Sequence, residues 1–260
     1  MSVAGILLAT VDIPLRFKIV LWGAGGLAVL VAAFMVFFLI TCMREKQFLV
    51  GDVEPVGEPY PYTPSRYWQC TRQDAFSLGW QHAGDFATKR STTIVKGMMS
   101  LFISSDGRVI AGITSGSTAG AKLHKTVLRS RLSDGTVLES CDTSGMSDPS
   151  GLLRQETLLH AGIAELAAFH EQRLQACGAS DFVFNQESAL EDYEKMDWDR
   201  GAKWVEQGLA YWVGPEQHCI RMTFRGATMQ LETMFKRMNR LNEQKERINL
   251  ARAGSRVNDA

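Results

Sequence analysis

Near its N-terminus the chain has an apolar run of 25 residues that contains no charge. From Ile19 to Met43 the sequence reads IVLWGAGGLAVLVAAFMVFFLITCM. A helix of this length crosses the roughly 30 Å of hydrocarbon in a bilayer, and it lacks the polar face of a helix that lies on a soluble core. The apolar region of a cleaved signal peptide is shorter, about 7–15 residues. The run therefore predicts an uncleaved transmembrane helix and a single-pass membrane protein with the lipid bilayer as a partner.

Charge does not fix the orientation in the membrane. Arg16 and Lys18 precede the run, and Arg44 and Lys46 follow it, so the count of basic residues is the same on the two sides. The sequence therefore does not predict on which side of the membrane the soluble part lies. Two disulfides among the later cysteines would form only in an oxidising compartment, and free thiols are the alternative. These cysteines are Cys70, Cys141, Cys177 and Cys219.

Composition divides the chain into five predicted segments. Four of the seven prolines lie shortly after the apolar run, at Pro55, Pro59, Pro61 and Pro64, and proline runs favour extended backbone. This indicates a semi-rigid spacer. The predicted segments are an N-terminal tail at 1–18, a transmembrane helix at 19–43, a Pro-rich linker at 44–66, an α+β body at 67–226, and a basic heptad-like helix and tail at 227–260.

The C-terminal segment has the pattern of a long amphipathic helix. Residues 221–256 carry nine Lys or Arg against three Glu, and no Gly or Pro interrupts residues 227–253. The helix has three alternatives: packing on its own body, pairing with a second copy, or lying on a bilayer. A nucleic-acid partner is not expected, because no recognisable binding module is present. Homo-oligomerisation would use apolar heptad positions and a stripe of small residues in the apolar run: Leu231, Met234, Met238, Leu241 and Ile248, with Ala24, Ala28 and Ala32.

Two Ser-Asp-Gly sequences predict β-hairpins in the body. Asp106-Gly107 and Asp134-Gly135 each lie between apolar runs, the pattern of a type I′ turn with positive φ at both central residues. Alternation near residue 129 places Leu128 on one face and Arg129 on the other, which indicates a strand with one wet face. The predicted strands form an antiparallel meander at about 94–104, 108–115, 123–132 and 136–141.

Helices are predicted to follow the strands and to cover the sheet. Asp148-Pro149-Ser150 resembles a helix start, and apolar residues at three- and four-residue spacing continue to Cys177. A second helix is predicted at about 188–212, with a short strand at 219–224. Strands followed by helices indicate an α+β fold. The predicted fold class is therefore α+β, with an N-terminal transmembrane helix, an antiparallel β-meander covered by helices, and a long C-terminal amphipathic helix.

One glycine-rich stretch invites a chemical interpretation. Residues Gly112 to Lys125 read GITSGSTAGAKLHK, but the spacing does not match a Walker A loop, and the stretch precedes a predicted strand instead of a helix. A flexible connector between two hairpins is favoured over a phosphate site. Ser115 or Ser117 with His124 is the one pairing in this stretch that suggests a nucleophile and a base, although no GxSxG elbow is present.

The remaining titratable residues favour structural roles. His170 lies on an apolar helical stripe, which is typical of a core histidine with satisfied hydrogen bonds. Glu156 and His160 are predicted to pair on one helix face, and the acidic run from Leu190 to Arg200 is predicted to be a solvated helix face. The histidines show no metal-ligand spacing. The sequence therefore predicts no catalytic residue, no cofactor-binding residue and no metal ligand.

Two functions remain as hypotheses. The first is a membrane-anchored, non-catalytic interaction or assembly module, since the anchor and heptad patterns are present without a catalytic constellation. The alternative is a membrane-anchored hydrolase of unfamiliar type that uses a Ser/His pair near Gly112–Lys125.

Overall fold

The computed structural model describes residues 15–49, 53–89, 95–118, 121–143, 148–178 and 181–236, together with residues 238, 239 and 242. The chain divides into two compact units, Met1–Cys42 and Met43–Ala260. Helix α1 (Leu15–Arg44) accounts for the described part of the first unit. Its segment Gly26–Arg44 is long and apolar enough to cross a membrane, and none of that segment is buried. An apolar N-terminal helix is thus confirmed.

The second unit is a mixed α+β structure with two sheets. Its elements are β1 Gln47–Phe48, β2 Val53–Pro55, α2 Arg66–Ser77, β3 Gln81–Thr88, β4 Val95–Ile103, β5 Ile110–Thr118, β6 Ala121–Arg131, β7 Val137–Cys141, β8 Leu153–Thr157, α3 Ile163–Cys177, α4 Ala189–Glu206, β9 Ala210–Trp212 and β10 Cys219–Met222. A further helix, α5, begins at residue 224 and is described to 236 and again at 238, 239 and 242. The main sheet has seven strands in the order β2-β3-β4-β5-β6-β7-β8, and a small sheet has the order β1-β10-β9.

The predicted meander is confirmed. Strands β2 to β7 pair in sequence order, each antiparallel to the next. The predicted turn type, however, is wrong. Gly107 and Gly135 have positive φ, but Asp106 and Asp134 do not. In each turn the glycine N–H donates three residues back, to Ser104 and to Leu132, which is the bonding of a type I turn followed by a left-handed glycine.

Both faces of the main sheet are covered, so the strand with one wet face is a wrong prediction. Helices α2 and α3 pack on one face, through a core that includes Trp68, Phe102 and Leu166. Helix α4 packs on the other face, through a core that includes Leu101 and Met196. Arginine on the second face is therefore buried and needs carboxylate partners. Alternation alone cannot distinguish a polar residue in water from one in a buried ion pair.

The helix predicted from 148 is wrong over its first half. Strand β8 occupies residues 153–157 and pairs with β7 in parallel, and α3 begins only at Ile163. The Asp148 carboxylate accepts hydrogen bonds from the backbone N–H groups of Ser150 and Leu153, which closes a turn instead of opening a helix. Gly151 then has a φ of 78°. The predicted pair of Glu156 and His160 is lost, because these residues lie in β8 and in the following loop.

Much of the predicted linker is folded onto the second unit. Strand β2 pairs with β3, and Tyr60 and Tyr62 pack against the α2/α3 side of the core. The Tyr60 hydroxyl donates to the Asp85 carboxylate at 2.9 Å, and Arg72 of α2 forms an ion pair with the same group at 3.0 Å. The prolines of this segment therefore lie in a part of the chain that packs within the second unit.

The C-terminal part departs from the prediction after α4. Helix α4 ends at Glu206, and residues 210–212 form β9, which pairs antiparallel with β10. Most of the predicted helix at 227–253 lies outside the described residues, including Leu241 and Ile248. Within α5, Leu231 is buried and Met238 is 47% exposed. The first heptad residue therefore packs within its own chain.

Candidate functional site

The glycine-rich stretch forms two paired strands, which corrects the prediction of a flexible connector. Residues up to Thr118 belong to β5, and β6 begins at Ala121. The pairing register sets Ser115 opposite His124 and Ser117 opposite Lys122. Threonine is common in strands, so a stretch rich in glycine, serine and threonine is not limited to a loop. The Ser/His pair noted in the sequence is thereby brought together across two strands.

A third residue, from far away in the sequence, joins this pair. Ser65 is the N-cap of α2, and its Oγ accepts a hydrogen bond from the backbone N–H of Trp68 at 3.2 Å. The same Oγ lies 2.7 Å from Ser115 Oγ and 3.4 Å from His124 Nδ1. We call these three residues the open cluster, because each is only half-buried.

The open cluster borders a cleft of about 250 Å³. The cleft lies between the chain that precedes α2 and the ends of β4, β5 and β6. Its described lining contains hydroxyl groups, one imidazole, one ammonium group and an apolar floor, and no carboxylate. The lining residues are Tyr62, Thr63, Ser65, Gly97, Met98, Ser115, Gly116, Ser117, Lys122 and His124.

Tyr67 supports the wall behind His124. The two rings meet edge to face, with centroids 4.8 Å apart. The Tyr67 hydroxyl donates to the Asp142 carboxylate at 2.6 Å, and that carboxylate also accepts from the Thr126 N–H at 2.9 Å. Burial and the bond to Asp142 raise the pKa of Tyr67 well above its usual range. The nearby acid is therefore bound to Tyr67 and Thr126 and does not orient His124.

A second Ser-His arrangement, the closed cluster, lies deeper on the same sheet face. His170 of α3 is fully buried between Ser130 of β6 and Ser140 of β7. Its Nε2 is 3.0 Å from Ser130 Oγ, and its Nδ1 is 2.9 Å from Ser140 Oγ. Ser130 donates its own proton to the Arg108 carbonyl oxygen, and Arg173 donates to Ser140 Oγ. The predicted core histidine is confirmed.

These bonds fix the protons of the closed cluster. Burial, followed by the positive charge of Arg173, lowers the pKa of His170 to about 3, so its imidazole is neutral at ordinary pH. Because Ser130 donates to the Arg108 carbonyl, it accepts from His170 Nε2–H. The unprotonated Nδ1 then accepts from Ser140. This residue is held as a structural hydrogen-bonding group.

The opposite face of the sheet holds a buried ion-pair network. Arg129 Nε donates to Glu139 at 2.9 Å, its Nη2 donates to Asp197 of α4 at 3.2 Å, and its guanidinium lies over the Tyr193 ring. Burial acts to raise the pKa of Glu139 and of Asp197, but the positive charges of Arg129, Arg200 and Lys125 together with the Arg129 hydrogen bond outweigh it and lower both. The acidic run on α4 is therefore not wholly a solvated face, since Asp197 anchors the helix to the sheet.

No further chemical centre is evident in the described part of the chain. Within it, no group of three or more His, Cys, Asp or Glu side chains is placed to hold a metal ion. None of the five cysteines, all of which lie in described segments, forms a disulfide. The sequence indicated Ser115, Ser117 and His124, but Ser65 was missed. The only local signal was a serine directly before a helix, which usually indicates a cap and nothing more.

Comparison with protein-family models, with curated proteins and with solved structures finds no match for this chain. We therefore infer its function from the geometry of the cleft and the clusters.

Proposed function

We propose that this protein is a membrane-anchored, non-catalytic binding or assembly protein whose cleft holds part of a partner molecule. The main support is the open cluster, whose hydroxyl and imidazole groups border a cleft of about 250 Å³. Its Ser65 also caps α2. Side chains that line a concave surface with a few convergent polar groups are typical of ligand sites.

The same cluster is poorly arranged for nucleophilic catalysis. A serine hydrolase needs a base in contact with the nucleophile and a third group that orients the base. Among the described residues, His124 contacts Ser65 and the ring of Tyr67, and no carboxylate lines the cleft. Ser65 Oγ already accepts the N–H of Trp68. These contacts favour recognition over acyl transfer.

A hydrolase remains the second candidate because of one specific observation. The hydroxyls of Ser115 and Ser65 and the imidazole of His124 form a continuous chain, along which a proton would pass from Ser115 to His124. Such a relay would make Ser115 the nucleophile and His124 the base.

A fluorophosphonate probe separates the two candidates. On the full chain in detergent, we expect no adduct on Ser65 or Ser115 beyond that of the His124→Ala variant, measured by intact mass and peptide mapping. Ser117→Ala is the matched control, since Ser117 lines the cleft outside the cluster. A stoichiometric adduct on Ser65 or Ser115 that disappears in His124→Ala would establish the hydrolase instead.

Membrane anchoring is proposed from α1. Its described apolar side chains are extensively exposed, for example Leu30 at 69% and Phe37 at 67%, and burial in lipid would satisfy them. We expect the full chain to stay in the membrane fraction after alkaline carbonate extraction and a variant lacking residues 15–44 to be released. Release of the full chain by carbonate would refute the anchor.

Self-association belongs to the same proposal. The support is the spacing of Ala24, Ala28 and Ala32 on α1, which allows close approach of two helices. The exposed Met238 on α5 is available for pairing, whereas Leu231 is not. Ala28→Leu should reduce cross-linked dimer in the membrane, with Ala33→Leu on another face of α1 as the control. Equal cross-linking in the two variants would contradict this interface.

A further inference from the structure

We propose that the cleft beside the open cluster binds a small anionic oxygen group, a phosphate or a carboxylate, through hydroxyl groups and Lys122. The inference rests on the proposed binding function and names the chemistry of its ligand. Its basis is the unbalanced character of the described lining, in which several hydrogen-bond donors and one cation face a cavity without a carboxylate.

The charge of the cleft differs from that of the other polar clusters. Elsewhere in the second unit, several buried or half-buried arginines pair with acids, as in Arg72 with Asp85 and Arg129 with Glu139. Lys122 has no carboxylate partner within the segments that the structure describes, and it lines the cleft. An anion placed there would supply the missing partner, and charge-assisted hydrogen bonds are the stronger ones.

The serine hydroxyls of the open cluster can rotate to donate to a ligand while the surrounding helix and strands stay in place. Ser65 has one proton, which goes either to His124 Nδ1 or to Ser115 Oγ. When it goes to Ser115, the Ser115 proton is released to point into the cleft. The cost is only the 3.4 Å bond to His124, which is the longest in the cluster. The helix cap from Trp68 N–H to Ser65 Oγ is kept throughout.

The size and floor of the cleft fit a small group and not a large molecule. A volume of about 250 Å³ is below the roughly 300–1,000 Å³ of pockets for drug-sized ligands. Met98 and Tyr62 contribute the apolar part of the lining, and Lys122 lies at its exposed edge. Ser117 and Thr63 add two further hydroxyl donors near the rim.

The test is an NMR titration of the full chain in detergent, labelled at histidine with carbon-13, at constant pH and ionic strength. The probes are inorganic phosphate, acetate and neutral acetamide, each added alone. We expect phosphate, acetate or both to shift the His124 ring signals saturably and to leave His170 and the exposed His218 unchanged. Lys122→Met should weaken the apparent affinity about tenfold, as for the loss of one charged hydrogen bond. Lys195→Met, at an exposed lysine of α4, is the matched control and should have no effect.

The outcomes separate the two levels of the proposal. Saturation by acetamide alone would overturn the anion proposal and leave a binding cleft. No saturable shift with any of the three probes would overturn both. An anion-induced shift of equal affinity in Lys122→Met and the parent chain would also overturn the anion site, because binding would then not involve the cation on which it depends.

Discussion

Two clusters of serine and histidine lie on the same face of one sheet and differ in what surrounds them. In the closed cluster, His170 is fully buried and every proton is assigned by a neighbouring donor or acceptor. In the open cluster, His124 is half-buried and the proton of Ser65 has two acceptors. Residue type is therefore no guide to role. Burial and the number of fixed partners decide whether such a cluster holds the fold together or stays available to a ligand.

Removing the imidazole of the closed cluster should destabilise the fold more than any other single change in the two clusters. His170→Ala leaves a cavity and two buried hydroxyls without their partner, so the free energy of unfolding should fall by about 3 kcal/mol or more. His124→Ala is the matched change in the open cluster and should cost less than about 1 kcal/mol. Thermal unfolding of the full chain in detergent, followed by circular dichroism, gives both values. If the two variants lost equal stability, the distinction between the clusters would fail.

Acid should destabilise the protein through the closed cluster. The pKa of His170 is about 3 in the folded chain against 6.5 for the ordinary group, so only the unfolded chain takes up this proton between those values. The contribution of His170 to the free energy of unfolding is fully present above pH 6.5. It falls as the pH falls, and about 2 kcal/mol of it is lost at pH 5. The measurement is unfolding stability at about pH 7 and about pH 5.

A matched pair of variants isolates that contribution. His170→Gln, which does not titrate, should be less stable at neutral pH but should lack this part of the pH dependence. His218→Gln, at an exposed position, should show the same change of unfolding free energy with pH as the parent chain. If His170→Gln also showed that same change, groups other than His170 would cause the acid sensitivity.

Ser65 is the one member of the open cluster with a structural role, and its substitution should have an intermediate effect. Ser65→Ala removes the N-cap of α2 and should cost about 1 kcal/mol, whereas Ser65→Gly should cost only a few tenths. Both changes remove the hydroxyl from the cleft. If both variants lost the anion-induced shift of His124 while Ser65→Gly kept its stability, capping and binding would be separated. Equal destabilisation by Ala and Gly would instead indicate that the hydroxyl, beyond its cap, stabilises the fold.

The sequence predicted the elements that depend on local patterns. The apolar helix, the four central strands and the core position of His170 all followed from period, turn residues and hydropathy. Prediction from the sequence failed where residues far apart in the chain determine the local structure. Leu153–Thr157 fits a helical stripe as well as a strand, and only β7 as a neighbour selects the strand. Arg129 alternates like a solvent-facing residue, and only its neighbours in the fold, Glu139 of β7 and Asp197 of α4, supply the acids that pair with it in the interior.

The residues of the candidate site were likewise predictable only where they are close in sequence. Ser115 and His124 were visible in the sequence because they are nine residues apart in one unusual stretch. Ser65 lies 50 residues before Ser115, and no spacing rule connects the two. The cleft exists because α2 begins over the ends of β5 and β6, which is a property of the packing of the sheet.

The closed cluster is structural and the open cluster is available to a ligand, and one pair of variants measures this difference directly. Ser130→Ala leaves the Arg108 carbonyl and the His170 N–H without a partner, so it should cost about 1–3 kcal/mol of unfolding free energy. Ser115→Ala removes a half-buried hydroxyl beside a cleft and should stay within about 0.5 kcal/mol of the parent. We expect Ser130→Ala to be clearly the less stable of the two full-length variants. Equal losses, or a larger loss for Ser115→Ala, would show that the cluster at the cleft belongs to the structural core and would contradict the proposed site.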